Sequence, residues 1–242
     1  MKSKIIKIVR IIWVLAGITF TVWAYFSFEA KNIDDTVLQS NTLIKVEETD
    51  TYFSFSPSSP TQNVIFFYPG ALVDPVAYTP LCRKIAENGH HVLIIKMPWR
   101  MATKGYEQIK DLEIFNDHQK EFILIGHSQG GKMAAQFVYE NPNTIDKLIL
   151  LGTTHPRDFN LSRSTTHIMK IFGSHDGIAP KEKVISNKSK LPVNTKYAEI
   201  DGGNHSQFGY YGTQFNDDKA GITREKQQEL ILEYILDFIY PN

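Results

Sequence analysis

Cysteine is nearly absent from this chain. Of 242 residues only Cys82 is one, so no intramolecular disulfide can form and no thiolate metal cluster can be assembled. Net charge is absent too: 26 basic residues balance 26 acidic ones, which gives no global attraction for nucleic acid, and no nucleic-acid partner is expected. None of the histidines stands at the spacing of a zinc motif, so no metal is expected. Internal repeats and low-complexity tracts are also lacking, which excludes a repeat architecture. What the chain does have is apolar residues, 42% of the total, enough for one substantial core in a single domain.

The longest apolar run lies at the N-terminus. Lys2, Lys4, Lys7 and Arg10 precede an uncharged stretch from Ile11 to Phe28, bounded by Glu29. As a helix this stretch matches a hydrocarbon core of roughly 30 Å. The basic cluster favours a cytoplasmic N-terminus, which places everything after Glu29 on the extracytoplasmic side of the cell membrane as a single-pass protein. A cleaved signal peptide is the rival reading, because Val22-Trp23-Ala24 resembles a small-x-small cleavage site. It would leave a secreted domain. Tyr25 and Phe26 continue the apolar run past that site, which favours a retained anchor. The expected organisation is an anchor at 1–30, a polar tether at 31–41 and a folded domain at 42–242.

Within the domain, Thr42–Val46 and Tyr52–Phe55 alternate like half-buried strands and predict an antiparallel edge. Six short apolar runs follow: Val64–Tyr68, Val92–Ile95, Phe122–Ile125, Lys147–Leu151, His167–Phe172 and Lys196–Ile200. Strands apolar along most of their length are covered on both faces, so an α/β fold is predicted, with a mostly parallel central sheet and helices on either side. The spacing around Cys82 suits a helix in which the thiol is buried, and the stretch from Thr223 to Phe238 predicts a closing helix. Chemistry in such sheets gathers at the carboxyl ends of the strands.

Gly126-His127-Ser128-Gln129-Gly130 stands between the run ending at Ile125 and the amphipathic stretch Gly131–Val138. A serine on so tight a strand-to-helix turn is presented to the cleft, and its small neighbours permit the bend, so Ser128 is the candidate nucleophile. A serine hydroxyl needs an imidazole to take its proton and a carboxylate to orient that imidazole. On sheets with this turn the chain order is serine, acid, histidine. Asp176 follows the strand ending at Phe172, and His205 is the only histidine beyond it. Asp201 competes with Asp176, being nearer to His205, but it lies in Asp201-Gly202-Gly203-Asn204, where a turn role suffices. The two donors of an oxyanion hole are expected from the backbone N–H of Gln129 and, in the loop Pro69-Gly70-Ala71-Leu72, that of Ala71. His127, His155 and His175 could line the cleft without an assigned role, and Lys96 and Arg100 are candidates for recognising an anionic substrate, although solvated surface roles explain them more simply.

These residues resemble the alpha/beta-hydrolase superfamily over nearly all of Thr42 to Tyr240. Phe67–Tyr78, Ile95–Pro98 and Gly202–Gly212 are similar, more narrowly, to the small bacterial group called alpha/beta hydrolase fold-5. The resemblance implies Ser128, Asp176 and His205 as a triad and implies no particular substrate. Pro69 stands where a histidine often precedes the oxyanion glycine, so any support from that ring is missing. Only a short connection joins Leu151 to His167, so a minimal cap, or none, and an open cleft are expected. The expected activity is cleavage of a carboxylic ester, thioester or amide in a small-molecule or lipid-like acyl substrate. An acyltransferase on the same scaffold and a non-catalytic surface-binding domain are the alternatives. The oligomeric state is not readable from these features.

Overall fold

A computed structural model describes residues 2–117 and 119–240. Met1, which falls in the anchor range, and His118, Pro241 and Asn242, which fall in the domain range, lie outside the described residues. The first helix, α1, runs from Lys2 to Phe28 with its apolar side chains exposed along almost its whole length. At 1.5 Å per residue it is about 40 Å long, enough to cross a bilayer. Its last turn is docked on the domain: Ser27 Oγ donates to the Thr213 carbonyl, Phe28 O accepts from the Asp74 N–H at 2.9 Å, and the Phe28 ring stacks on Tyr211.

The segment expected to be a tether lies against the domain as well. Lys31 N–H donates to Tyr210 O, and one nitrogen of the Arg83 guanidinium donates to the carbonyls of Thr36, Val37 and Gln39. Three carbonyls on one cation hold this polar stretch where no apolar periodicity would have put it.

The domain opens with the hairpin β1 (Ile44–Glu48) and β2 (Tyr52–Pro57), followed by β3 (Asn63–Tyr68), α2 (Thr79–Glu87) and β4 (His91–Ile95). Next come β5 (Glu121–His127), α3 (Gln129–Glu140), β6 (Lys147–Leu151) and β7 (His167–Gly173). The chain ends with α4 (Lys181–Ser186), β8 (Lys196–Ile200) and α5 (Arg224–Ile239). Among the described residues the eight strands form one sheet in the order β1-β2-β4-β3-β5-β6-β7-β8. Only the β1–β2 and β2–β4 pairs are antiparallel; β4 through β8 run the same way.

Alternate residues of each strand feed two cores. Ile65, Phe67, Ile123, Ile125, Ile149 and Ile171 pack with Leu81 and Ile85 of α2 and with Ile231 and Ile235 of α5. Val64, Phe66, Leu124, Leu148 and Leu150 pack with Met133, Ala134 and Phe137 of α3 on the other face. Burial on both faces explains why the strands read as near-continuous apolar runs, interrupted by Lys170 in β7 and Glu199 in β8. Cys82 is fully buried in the first core, where burial pushes its thiol pKa well up and leaves it inert.

Candidate active site

The parallel strands all end on one side of the sheet, and the turn from β5 into α3 stands at its centre. Ser128 occupies that turn with φ 53° and ψ −116°, a conformation that L residues avoid and that costs about 1–3 kcal/mol. The surroundings demand it. A Cβ on Gly130 would lie 2.1 Å from the Tyr68 carbonyl oxygen, and one on Gly126 would lie 2.5 Å from the Gly130 oxygen, so only glycine lets the strand and helix approach this closely. The Ser128 N–H is tied to Leu151 O at 2.9 Å, which fixes the bend from the neighbouring strand.

His205 and Asp176 arrive from the ends of β8 and β7. The Ser128 hydroxyl lies 3.0 Å from His205 Nε2, and His205 Nδ1 lies 2.9 Å from Asp176 Oδ2 and 3.1 Å from Oδ1. Because an ionised carboxylate only accepts, Nδ1 carries the ring hydrogen and the Nε2 lone pair faces the hydroxyl. Asp176 is 3% exposed and His205 1%. The acid is held in turn by the N–H groups of Ile178 at 2.9 Å and Ala179 at 2.6 Å, which donate to Oδ1. Asp201 stands apart, exposed, with Ser174 Oγ donating to it at 3.2 Å. Strand-end position, not nearness in sequence, decides which carboxylate meets the imidazole.

The loop carrying His205 is positioned by residues that no local pattern identified. Asp217 accepts from the His205 N–H at 3.1 Å, from the Ser206 N–H at 2.8 Å and from the Ser206 hydroxyl at 2.6 Å. The Gly177 N–H, beside Asp176, also donates to it at 3.4 Å, so one carboxylate ties the acid loop to the base loop. From α5, Gln227 brackets Asn204 with Nε2 donating to its carbonyl and Oε1 accepting from its N–H. The sequence places Asp217 in a stretch without periodicity, where an aspartate ordinarily reads as solvated surface.

The N–H groups expected to form an oxyanion hole face the same place in the topology. Gln129 opens α3, so its N–H belongs to the unpaired first turn at the positive end of the helix dipole. In the other turn, Gly70 N–H donates to Tyr78 Oη at 3.1 Å, Leu72 N–H to Arg100 O at 2.7 Å and Val73 N–H to Gly70 O at 3.3 Å. Ala71 is left as the donor these bonds do not use among the described residues. Tyr78 supplies the support missing at Pro69: its hydroxyl holds Gly70 and also bonds His127 Nδ1 at 2.8 Å. Burial, and then the adjacent His205, hold the His127 pKa well below the usual imidazole range. A neutral ring 4.6 Å from the His205 ring adds no competing positive charge there.

The other candidates separate cleanly. His155 lines the cleft beside Ser128, whereas His175 is exposed and bonds the Lys219 carbonyl. Lys96 pairs with Glu48 at 2.6 Å and lies over the Phe53 ring, and Arg100 bridges Glu29 and Asp74, so both charges are engaged in ion pairs and neither lines the cleft beside Ser128. Among the described residues no cluster of three or more histidine, cysteine or acidic side chains could hold a metal ion.

An open, mostly parallel sheet with helices on both faces, carrying a strained serine at the end of a central strand, defines the alpha/beta-hydrolase fold. A family model described as the alpha/beta hydrolase family matches residues 64–229, and the chain belongs to that family. No curated protein sequence matches it. Solved structures of similar fold include MGS-MChE2, an alpha/beta hydrolase enzyme from the metagenome of lagoon sediments at Mar Chica, Morocco, at 16% identity and TM-score 0.60, covering 81% of this chain and 100% of that one. Est1E from Butyrivibrio proteoclasticus is similar at 14% identity and TM-score 0.57, with 82% and 99% covered. A monoacylglycerol lipase from Paleococcus ferrophilus is similar at 14% identity and TM-score 0.58, with 80% and 99% covered. At these identities the likeness is one of fold.

Proposed function

We propose that the chain is a serine hydrolase that cleaves a carboxylic ester through an acyl-enzyme, with Ser128 as nucleophile, His205 as general base and Asp176 orienting it. The observation that carries this reading is the unbroken line of contacts, 3.0 Å from hydroxyl to imidazole and 2.9 Å from imidazole to carboxylate. Ser128 Oγ attacks the carbonyl carbon while its proton moves to His205 Nε2. The N–H groups of Gln129 and Ala71 receive the oxyanion, whose loss of one donor costs about 3 kcal/mol. Collapse breaks the carbonyl-to-alkoxy bond, and the imidazolium proton leaves with the alcohol. Water then attacks the acyl-enzyme, giving its proton to Nε2, and Ser128 departs with that proton as the acid is released. Thioester or amide cleavage would use the same steps.

In this reading α1 anchors the domain to the outer side of a membrane. Its exposed apolar surface, the basic residues at its start and the docking of its last turn all support a retained helix. A fluorophosphonate probe tests the chemistry. The full chain in detergent should be labelled at Ser128, and Ser128→Ala should abolish labelling; a folded wild type that resists the probe overturns the proposal.

A further inference from the structure

Beside Ser128 lies a cleft of about 360 Å³ whose walls include Gln129, Lys132, Thr154, His155 and Arg157. No carboxylate lines it among the described residues. The Arg157 guanidinium donates to Nε2 of His155 at 3.0 Å from Nη2 and 3.3 Å from Nε. Arginine only donates, so His155 Nε2 must accept, and the ring is neutral. Burial, and then Arg157 and Lys132, lower the His155 pKa to about 4, in keeping with that assignment. A guanidinium that spends its bonds on a neutral imidazole keeps its whole charge. Lys132 is little better compensated, since Asp158, outside the cleft wall, is 4.0 Å away and mostly exposed. Beneath them Lys170 is 1% exposed, with its ammonium donating to the carbonyls of His155 at 2.9 Å and Val184 at 3.2 Å. The positive end of α3 opens onto the same space.

Arg157 is exposed and the Lys132 side chain 34% exposed, so water solvates both, yet the cleft wall sets no carboxylate among them and the potential beside the nucleophile stays positive. Resting on the serine-hydrolase reading, we propose that this cleft binds an anionic group of the substrate, so that the enzyme acts on esters carrying a carboxylate or phosphate near the scissile carbonyl. Arg157 and Lys132 grip the anion, and His155 holds the guanidinium in place as a positioning residue. The shared chemistry is an oxyanion with two or more acceptor oxygens, which suits a guanidinium fork.

The test compares matched esters on the full chain in detergent. One pair is 4-methylumbelliferyl butyrate against its hemisuccinate counterpart; the other is a monoacylglycerol against the same compound bearing a 3-phosphate. The anionic member of at least one pair should have the higher kcat/KM by about tenfold or more, and the pair that responds identifies carboxylate or phosphate. Arg157→Gln and Lys132→Gln should each reduce that ratio by about tenfold, mainly through KM, while Arg157→Lys should restore part of it. Lys226→Gln, the same charge change at an exposed position of α5 outside the cleft wall, should leave the ratio unmoved. Equal rates in both pairs, or a ratio indifferent to both cleft variants, or an equal response to Lys226→Gln, would each overturn the anion site. Fluorophosphonate labelling run alongside separates the two ideas: a labelled enzyme with no anion preference refutes only this inference, and an unlabelled one refutes the hydrolase reading with it.

Discussion

The two ends of the sheet carry clefts of opposite character. At the start of the parallel strands, a cleft of about 690 Å³ is lined by Glu121, Asp146, Lys147, His167 and Lys196, among others. At the strands' carboxyl ends, the cleft that holds Ser128 measures about 360 Å³. The larger one mixes acids with bases: Glu121 and Lys147 form an ion pair, and Asp146 accepts from the Phe122 N–H at 2.8 Å. Behind the smaller one the buried Asp176 is committed to His205, and the lining cations Lys132 and Arg157 meet no carboxylate in the wall, with Asp158 outside it 4.0 Å from Lys132. Volume therefore points away from the candidate site. Strand direction and helix polarity gather loops, dipoles and donors at the carboxyl edge, and unneutralised charge is what marks a place prepared for a ligand.

The sharpest way to break this contrast is to disable one residue at each end. Ser128→Ala should lower kcat for the best ester by on the order of 10⁴-fold or more, because nothing else supplies a nucleophile on that turn. Lys147→Met, at the larger cleft, should leave kcat/KM within about twofold and affect stability only slightly, as for a partly exposed ion pair. Steady-state assays of both variants decide it, and a loss in Lys147→Met comparable to that in Ser128→Ala would reverse the assignment of the two clefts.

A second comparison lies within the active edge. Asp176→Asn should cost about 10⁴-fold in kcat, since an amide no longer enforces the useful tautomer of His205. Asp201→Asn, four residues before that histidine but exposed and bonded to Ser174, should retain near wild-type kcat. Similar losses in the two variants would mean that the carboxylate pairing described for Asp176 is not the working one.

The smallest effect concerns two lysines on neighbouring strands. Lys147 has a carboxylate partner, whereas Lys170 has two carbonyls and burial, which lowers its pKa to about 7 from the usual value near 10.5. A folded pKa below the unfolded one means that the unfolded chain binds more protons between those values, so stability should rise as pH climbs from about 7 toward 10.5 and carry the full penalty below 7. Lys170→Met should remove that rise. Thermal midpoints of wild type and variant, taken at pH 7 and pH 10, should differ more at the lower pH; a difference independent of pH would place the lysine's charge outside the stability balance.

Much of this arrangement was legible residue by residue. The six apolar runs coincide with β3 to β8, because strands covered on both faces carry few polar positions, Lys170 in β7 and Glu199 in the edge strand β8 being the interruptions. The turn at Ser128 was legible because glycine is required where Tyr68 O and Gly130 O crowd the backbone. By contrast, Asp217 is joined to His205, and Tyr78 to His127, only by contacts across folded loops, and such pairs leave no periodicity. The expected tether failed to read as docked for the same reason, since its partner Arg83 lies more than forty positions away in α2. Lys96 and Arg100 looked available to an anion in the linear chain and are occupied in the fold, while Arg157 and Lys132, unremarkable in sequence, converge beside the serine.

Local sequence thus determined the strands, the bend at residue 128 and the apolar N-terminal helix, because hydrophobic period, glycine sterics and helix length act over a few neighbouring residues. The choice of Asp176 over Asp201 followed from its strand-end position, but tertiary structure alone decided what holds the His205 loop and which cations share the cleft. Those outcomes depend on strand order and on where each loop returns to the sheet, and hydrogen bonds and charges act over ångströms in space without regard to separation along the chain.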